Sequence, residues 1–341
     1  MQQPKNFDAL IIGGGPAGLA AAMSMGRACR KVALFDSQEY RNERAPMMHN
    51  VLCHDGEKAD LYRARALEEL MDKYDCITLC DQEIASARHF GEGSQQFFQL
   101  TDAKGHVWTG LKLILATGTK DNLPSIKGYK ALWGNGIVHC LFCDGFERRG
   151  GHIGVLGLQS LKDLGPLLMA FRLSGGRITV FTNGEAPNGG DAQRAHDLAA
   201  ARGAQFDHRV LESVSENPAV VGVEMHFLEG PMTHVRMLLH SPPSTNRASK
   251  LIKSLGIETH SGPDGHIVTK TSFYETSLRG CFAAGDTASG AKVISVATAT
   301  AAADADCPGT LAGIGAAKQL AFDEAIKAFD ELFAGQVKGV L

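Results

Sequence analysis

A glycine-rich turn near the N-terminus constrains the fold of this 341-residue chain more than any other feature. The apolar run 7–12 predicts a strand, the turn follows over 13–18, and the alanine-rich segment 19–29 predicts a helix. Such glycines let the backbone approach a pyrophosphate at a helix N-terminus. The run 32–35 predicts the next strand, which ends on an acid placed for ribose hydroxyls, about 20 residues beyond the glycines. The pattern predicts a dinucleotide-binding α/β unit with contacts from Gly13, Gly15, Pro16, Ala17, Gly18 and Asp36.

Composition and charge are those of an ordinary globular protein. With 44% hydrophobic and 21% charged residues, the chain is long enough for two domains of about 150 residues. A formal net charge of −3 gives no basic field, which argues against nucleic acid and anionic membranes as partners. No apolar run approaches the ~18 residues of a membrane span, and the polar N-terminus lacks a signal-peptide pattern. We therefore expect a cytoplasmic protein.

The stretch that indicates covalent chemistry is Cys140-Leu141-Phe142-Cys143-Asp144. A Cys-x-x-Cys pair closes a redox-active disulfide ring or supplies half of a zinc site, and two unrelated packed cysteines are the third interpretation. Eight cysteines in this length are too few for a disulfide framework, and a lone pair in a reducing compartment favours catalysis. Cys76 and Cys80 are interpreted as packing residues, with a metal site as the lesser alternative. We predict no bound metal.

A second βαβ pattern follows, with strand, helix and strand at 152–156, 161–173 and 177–181. Its turn over 157–160 lacks the glycine signature, and we expect Leu158 and Gln159 to occupy the space that a pyrophosphate needs. The end of its second strand has neither an acid for a ribose nor an arginine for a 2′-phosphate. This pattern predicts a Rossmann-like unit with a degenerate nucleotide site.

The remaining segments surround these two units. We expect a polar loop at 37–55, a surface helix at 58–74, an antiparallel meander at 76–110 and a buried strand at 111–116. A hinge at 241–243 and two C-terminal helices at 291–306 and 311–333 follow. Two predicted strand ends carry small or acidic residues, Ala116-Thr117-Gly118 and Gly285-Asp286. A glycine followed by a carboxylate at a strand end is suited to binding a polyol chain.

The order of these motifs, over nearly the whole chain, resembles the low-molecular-weight thioredoxin reductase family. The resemblance implies an α/β fold with two Rossmann-like (doubly wound, three-layer) domains. An FAD-binding domain of residues 1–120 and 245–341 is interrupted by an inserted, degenerate NAD(P)H-type domain, 121–244, which carries the cysteine pair. It also implies FAD as cofactor, a homodimer, and further cofactor contacts at Arg41, Asn42, His49, Asn50, Ala116, Thr117, Gly118, Gly285, Asp286 and Val293.

Within that family the chain looks more similar to the dithiol oxidases that form the disulfides of gliotoxin, holomycin and romidepsin. The likeness rests on the Cys-Leu-Phe-Cys core and on the segments 35–37, 40–42 and 48–50. In that branch, electrons pass from a substrate dithiol to the enzyme disulfide, then to FAD and oxygen, without a nicotinamide. The resemblance therefore implies a small-molecule dithiol substrate, O2 as electron acceptor and H2O2 as product.

The predicted mechanism follows from thiol–disulfide exchange. A substrate thiolate attacks Cys140, the outward cysteine by analogy, and releases Cys143 as a thiolate near the flavin. The second substrate thiol then closes the product ring and frees Cys140. Asp144 and His139 are candidates for proton transfer, because a substrate thiol with a pKa near 8.5 must lose its proton. A packed strand histidine is an equal interpretation of His139.

Two alternatives remain open from the residues alone. One is an NADPH-dependent disulfide reductase that acts on a thioredoxin-like protein through an unusual nucleotide turn. The other is a flavin-bearing redox sensor or scaffold, without enzymatic turnover, whose cysteines respond to oxidants.

Overall fold

The protein is described from a computed structural model, which covers residues 5–262, 265–290, 292 and 308–337. Apart from Lys292, the predicted helix 291–306 lies outside the described residues, and so does the predicted cofactor contact Val293. The chain divides into two compact units. The first is drawn from Met1–Arg41, Asp60–Lys120 and Ser244–Leu341, and the second from Asn42–Ala59 and Asp121–Pro243. The domain boundaries given above stay a prediction.

The helices and strands alternate along most of the chain. The first part contains β1 (Lys5–Ile12), α1 (Pro16–Arg27), β2 (Val32–Phe35), α2 (Ala59–Lys73), β3 (Ile77–Cys80), β4 (Ile84–Phe90), β5 (Phe97–Asp102), β6 (Val107–Leu115), β7 (Thr119–Asp121), α3 (Tyr129–Leu132), β8 (Ile137–Val138) and α4 (Leu141–Asp144). The second part contains β9 (Ile153–Leu156), α5 (Leu161–Ser174), β10 (Ile178–Phe181), α6 (Gly190–Arg202), β11 (Gln205–Asp207), β12 (Leu211–Asn217), β13 (Val220–Phe227), β14 (Thr233–Val235), β15 (Met237–Leu239), β16 (Ser244–Asn246), α7 (Ser249–Ser254), β17 (Cys281–Ala283) and α8 (Pro308–Val337). None of the helices in the described ranges is long and apolar enough to cross a membrane.

A sheet with the strand order β3-β2-β1-β6-β5-β4 forms the centre of the first unit, and β17 also pairs with β6. Strand β1 pairs in parallel with both β2 and β6. Because successive side chains of a strand point to opposite faces, Leu10 and Ile12 pack in one core cluster and Ala9 and Ile11 in another. Residues of α7 join the first cluster, and residues of α1 and α8 join the second.

The second unit is built on the parallel sheet β11-β10-β9-β15-β8. On one face, Ile153 and Val155 pack with residues of α5 and α6. On the other face, Phe181 and Leu238 pack with residues of the antiparallel sheet β12-β13-β14. The α/β fold class with Rossmann-like, three-layer units is confirmed.

The predicted antiparallel meander over 76–110 is only partly right. Strands β4, β5 and β6 do pair in antiparallel fashion. Strand β3, however, pairs in parallel with β2 and extends the sheet at its other edge. The reason is that α2 separates β2 from β3, and a helical crossover returns the chain to the sheet in the same direction.

Candidate active site

Two glycines of the N-terminal turn bring backbone segments of the first unit into close contact. Gly13 has a φ of +115°, and a Cβ on it would lie 2.2 Å from the carbonyl oxygen of Ala116. A Cβ on Gly18 would lie 1.8 Å from the carbonyl oxygen of Gly13. Both positions therefore require glycine. A Cβ on Gly15, in contrast, would meet no atom of the described chain within 4 Å.

No side chain of the described residues caps the N-terminus of α1. Its N-cap residue is Gly15, which has no side chain that could cap the helix. The first turn of the helix contains no acidic residue. The first N–H groups of a helix lack intrahelical partners, and the helix dipole adds partial positive charge there. This end of α1 is therefore suited to binding phosphate groups.

Asp36 lies at the end of β2, beside this turn. One carboxylate oxygen accepts a hydrogen bond from the Gln38 N–H at 2.9 Å, and the other accepts one from the Tyr40 hydroxyl. The guanidinium carbon of Arg63 lies 3.7 Å from the centroid of the Tyr40 ring. A carboxylate has about four acceptor sites, so these two bonds hold the side chain and leave capacity for ribose hydroxyls.

The two strand ends with small and acidic residues lie together, because β17 pairs with β6. The Oγ1 of Thr287 accepts a hydrogen bond from the Gly118 N–H at 2.6 Å and lies 3.2 Å from the Oγ1 of Thr117. Arg41 Nη1 lies 3.3 Å from Asp286 Oδ2. The structure therefore gathers the predicted residues Arg41, Thr117, Gly118 and Asp286 in the first unit.

Cys140 and Cys143 form a disulfide in the second unit, with their Cα atoms 5.3 Å apart. Cys140 is the N-cap of α4, and its sulfur accepts a hydrogen bond from the Cys143 N–H at 3.1 Å. The Leu141 side chain is buried in the core, and a Cβ on Gly145 would lie 2.8 Å from a methyl carbon of Leu173. These contacts fix the segment against α5.

Among the described residues, no group of three or more His, Cys, Asp or Glu side chains is arranged to hold a metal ion.

Asp144 follows the disulfide directly, and burial raises its pKa from 3.8 to about 6. The positive charges of Arg148 and His49 oppose this rise in pKa, whereas the negative charge of Glu147 adds to it. A carboxyl group that titrates near 6 exchanges a proton with a thiol more readily than an ordinary aspartate, because the two pKa values are closer. The position of Asp144 directly after the disulfide and its raised pKa support the proton-transfer role, which stays a prediction.

Four other predicted site residues belong to the second unit: His139, Asn42, His49 and Asn50. The His139 ring stacks on Trp133, with ring centroids 5.7 Å apart. His49 Nδ1 is buried and lies 3.6 Å from Asp55 Oδ1 and 3.7 Å from Glu147 Oε1. The loop that carries His49 therefore packs on the segment after the cysteine pair. The cofactor contacts predicted for this loop stay predictions.

The second βα turn differs from the first because its own polar side chains occupy the helix N-terminus. Ser160 caps α5 by accepting a hydrogen bond from the Asp163 N–H at 3.4 Å. The Asp163 carboxylate accepts one from the Gln159 N–H at 3.2 Å. The Asp191 carboxylate accepts one from the Leu161 N–H at 3.2 Å. Two carboxylates therefore lie where a nucleotide-binding turn would receive a pyrophosphate.

For the side chains at this turn, the structure contradicts the expectation for Leu158, and the expectation for Gln159 stays a prediction. Gln159 Oε1 accepts a hydrogen bond from the Asn188 N–H at 3.2 Å, so its side chain extends beside the turn to the next loop. Leu158, however, is buried in the core with Val155 and Leu164, because its side chain points into the space between the sheet and α5. It does not block the turn.

The comparisons with known proteins agree with this geometry. A family model described as pyridine nucleotide-disulphide oxidoreductase matches residues 7–157. A curated protein named thioredoxin reductase aclD, from Aspergillus oryzae, is 36% identical over 326 residues, which cover 94% of this chain and 98% of that protein. The chain belongs to the thioredoxin reductase family.

Two solved structures extend the likeness to the fold. An oxidoreductase from Agrobacterium tumefaciens has a TM-score of 0.80 and 31% identity, with 93% of this chain and 99% of that chain covered. The structure of HlmI has a TM-score of 0.85 and 24% identity, with 97% of this chain and 98% of that chain covered, and it supports the fold alone.

FAD is the cofactor of this thioredoxin reductase family member, as predicted. The residues of the first unit fit the group. The open N-terminus of α1 suits the pyrophosphate, Asp36 suits a ribose, and the cluster of Arg41, Thr287 and Asp286 offers polar partners to a polyol chain. The individual contacts stay predictions.

Gly18→Ala is expected to weaken FAD binding at least about tenfold, because the new methyl group must displace the turn that receives the pyrophosphate. The ratio of flavin to protein absorbance after purification measures this loss. The control is Gly165→Ala, since a Cβ on that α5 glycine would meet no described atom within 4 Å. A full complement of FAD in the Gly18→Ala protein would contradict the assigned geometry.

The predicted proton-transfer role of Asp144 implies that the acid limb of the predicted dithiol oxidation has its midpoint near pH 6, because a carboxyl group accepts protons only when it is ionised. His49→Gln should move this midpoint to higher pH and Glu147→Gln to lower pH, since the two substitutions remove charges of opposite effect. His54→Gln is the matched control, because His54 of the same loop pairs with Glu57 at 2.7 Å. Shifts of the same sign in the His49 and Glu147 variants would refute this assignment.

Several residues at the ends of β6 and β17 and at the second βα turn were not predicted from the sequence. Thr287 directly follows Gly285-Asp286, and its position beside that motif was the available signal. Ser160 and Asp163 have the three-residue spacing of an N-terminal capping pair, which is readable from sequence. The role of Asp191 had no local sequence signal, because this residue lies 30 positions from Leu161, whose N–H donates the hydrogen bond that its carboxylate accepts.

Proposed function

We propose that this protein is an FAD-dependent dithiol oxidase that forms an intramolecular disulfide in a small molecule of natural-product biosynthesis or self-protection. Electrons pass from the substrate to the Cys140–Cys143 disulfide, then to FAD and O2. The observation that carries the proposal is the contrast between the two helix N-termini. Among the described residues no side chain caps α1, whereas the carboxylates of Asp163 and Asp191 accept hydrogen bonds at the N-terminus of α5.

This contrast bears on the direction of electron flow. A disulfide reductase of this family type takes its electrons from a nicotinamide nucleotide, whose pyrophosphate needs free N–H groups and no nearby negative charge. At α5, two carboxylates already accept hydrogen bonds from the Gln159 and Leu161 N–H groups. A pyrophosphate would have to break these bonds and approach like charges. The second unit therefore does not fit a nicotinamide nucleotide, and a dithiol is the better electron source.

The cysteine pair carries out two exchange steps. In the first, a substrate thiolate attacks Cys140 Sγ, a substrate–Cys140 disulfide forms, and Cys143 leaves as a thiolate. In the second, the other substrate thiolate attacks the substrate sulfur of that mixed disulfide, which closes the product ring and releases Cys140 as a thiolate. The substrate loses two electrons and two protons, and the enzyme pair is left reduced.

The local geometry assists both steps. The N–H of Cys143 donates to Cys140 Sγ, and the same bond is stronger to a thiolate, so it stabilises Cys140 as the leaving group of the second step. Asp144 is the group next to the pair that accepts a proton from the substrate thiol. FAD bound in the first unit would supply the two-electron chemistry that reoxidises the cysteine pair and reduces O2 to H2O2.

A second candidate is the NADPH-dependent disulfide reductase, which the pyridine-nucleotide description of the matching family favours. Oxygen uptake separates the two. Oxidation of dithiothreitol by the FAD-loaded protein should consume about one O2 and form about one H2O2 per disulfide, as the two-electron balance requires. The monothiol 2-mercaptoethanol is the control, since it cannot close a ring. Absence of oxygen uptake with the dithiol would contradict the proposal.

The homodimer implied by the family resemblance stays a prediction.

A further inference from the structure

Two phenylalanine side chains next to the disulfide are directed to solvent. Phe142, between the two cysteines, is 67% exposed, and Phe146, three residues after Cys143, is 62% exposed. Phenylalanine is among the residues most often buried in folded proteins. Two such side chains beside the reacting sulfur atoms therefore call for an explanation.

The backbone that carries the two rings is well anchored. The Asp144 N–H donates to the Cys140 carbonyl at 3.1 Å, and the Gly145 N–H donates to the Leu141 carbonyl at 2.9 Å. This helical hydrogen bonding brings positions 142 and 146, four residues apart, to the same side of the segment. The neighbouring Leu141 is buried in the core and anchors the segment.

Arg149 orients one of the rings. Its guanidinium carbon lies 3.8 Å from the centroid of the Phe146 ring, and its Nη1 donates to the Phe146 carbonyl at 2.7 Å. A cation over one face of an aromatic ring is attracted to it, so the ring is held in place. Phe146 nevertheless keeps most of its surface accessible.

The size of this surface indicates what binds there. An aromatic side chain buries about 150–250 Å² when it is fully covered, so two rings offer at most about 500 Å². A stable protein–protein interface needs about 800 Å² from each partner. The pair matches one face of a small molecule whose sulfur atoms must reach Cys140, whereas a protein partner would need further surface beyond these two rings.

Resting on the proposed function, we propose that Phe142 and Phe146 form the apolar part of the substrate site and select dithiols with a rigid aromatic or apolar framework. The framework packs against the two rings, which removes apolar surface from water on both sides. This packing holds the substrate thiol at Cys140 while the disulfide exchange proceeds. A small hydrophilic dithiol reacts at the same cysteines without this contact.

The test compares two dithiols, 1,2-benzenedimethanethiol and dithiothreitol. Phe142→Ala and Phe146→Ala should each lower kcat/KM for the aromatic dithiol about tenfold, mostly through KM, and change it less than about twofold for dithiothreitol. Phe142→Trp, which keeps an aromatic ring at this position, should retain the preference for the aromatic dithiol that Phe142→Ala loses. Phe322→Ala is the matched control, because Phe322 is also 67% exposed but belongs to α8 of the first unit.

The same preference is measurable without oxygen turnover. Anaerobic reduction of the Cys140–Cys143 disulfide by each dithiol can be followed by alkylation and mass spectrometry. One outcome is that the Phe142→Ala and Phe146→Ala variants lose the preference for the aromatic dithiol in this anaerobic assay while the wild type consumes no oxygen. The two rings are then the substrate surface, and the oxidase proposal is wrong. If the variants affect both dithiols equally, or neither, the assignment of Phe142 and Phe146 is overturned, whether or not oxygen is consumed.

Discussion

Cys140→Ser and Cys143→Ser are each expected to lower dithiol oxidation by at least about a thousandfold while FAD remains bound. Both exchange steps need the Cys140–Cys143 disulfide as electron acceptor, and a single remaining thiol cannot close it. The glycine turn, Asp36 and Asp286, which are suited to FAD, lie in the first unit, whereas both cysteines lie in the second. Loss of turnover with an unchanged flavin absorbance ratio is therefore the expected result.

The free cysteines supply the control for this experiment. Cys53 is exposed and belongs to the same unit as the disulfide, so Cys53→Ser changes a comparable thiol outside the exchange pair. We expect this variant to retain full turnover. Full activity in either Cys140→Ser or Cys143→Ser would remove the disulfide from the electron path.

The two single variants also differ from each other in a predicted way. In Cys143→Ser, residue 143 keeps its N–H, so the Cys140 sulfur retains the hydrogen bond that stabilises a thiolate. We therefore expect Cys140 in this variant to react with iodoacetamide faster at pH 7 than Cys143 does in Cys140→Ser. Equal rates would mean that the hydrogen bond does not tune the pair.

Asp323→Ala is expected to lower the free energy of unfolding by about 3–5 kcal/mol. Asp323 of α8 lies 2.6 Å from the Nζ of Lys112 on β6, and the Lys112 side chain is only 1% exposed. Arg279 also contacts Asp323, at 2.7 Å. Removal of the carboxylate leaves a buried ammonium group without its partner, and this costs more than the loss of a surface pair.

Urea unfolding of the FAD-loaded protein measures this effect. The control is Lys270→Met, because Lys270 and Glu258 form an exposed pair at the same distance of 2.6 Å, with side chains 48% and 58% exposed. An exposed pair contributes less than about 1 kcal/mol. A change in Asp323→Ala no larger than in this control would show that the buried pair does not stabilise the attachment of α8.

The features that could be predicted from sequence are those encoded by neighbouring residues. The glycine turn at 13–18, its strand and its helix follow from local spacing, because Gly13 and Gly18 are required by close backbone contacts within the same βα unit or with the adjacent strand. The Cys-x-x-Cys pair is equally local. Asp144 was identified by its position, although its raised pKa arises from burial that no sequence pattern shows.

The features that could not be predicted depend on distant partners. The occupation of the α5 N-terminus by Asp191 depends on how the loop before α6 returns to the sheet. The direction of the Leu158 side chain is set by packing between sheet and helix, which outweighs the expectation from the turn itself. In both cases the degenerate second site was predicted, but for Leu158 the stated cause was wrong.

In the proposed function a dithiol, and not a nicotinamide nucleotide, supplies the electrons. An anaerobic titration of the purified FAD-loaded protein, followed by visible absorbance, tests it most directly. Dithiothreitol is expected to bleach the flavin band and readmitted oxygen to restore it, whereas an equal concentration of NADPH should leave the band unchanged. Bleaching by NADPH, at a rate that supports turnover, would contradict the account and identify the protein as a reductase.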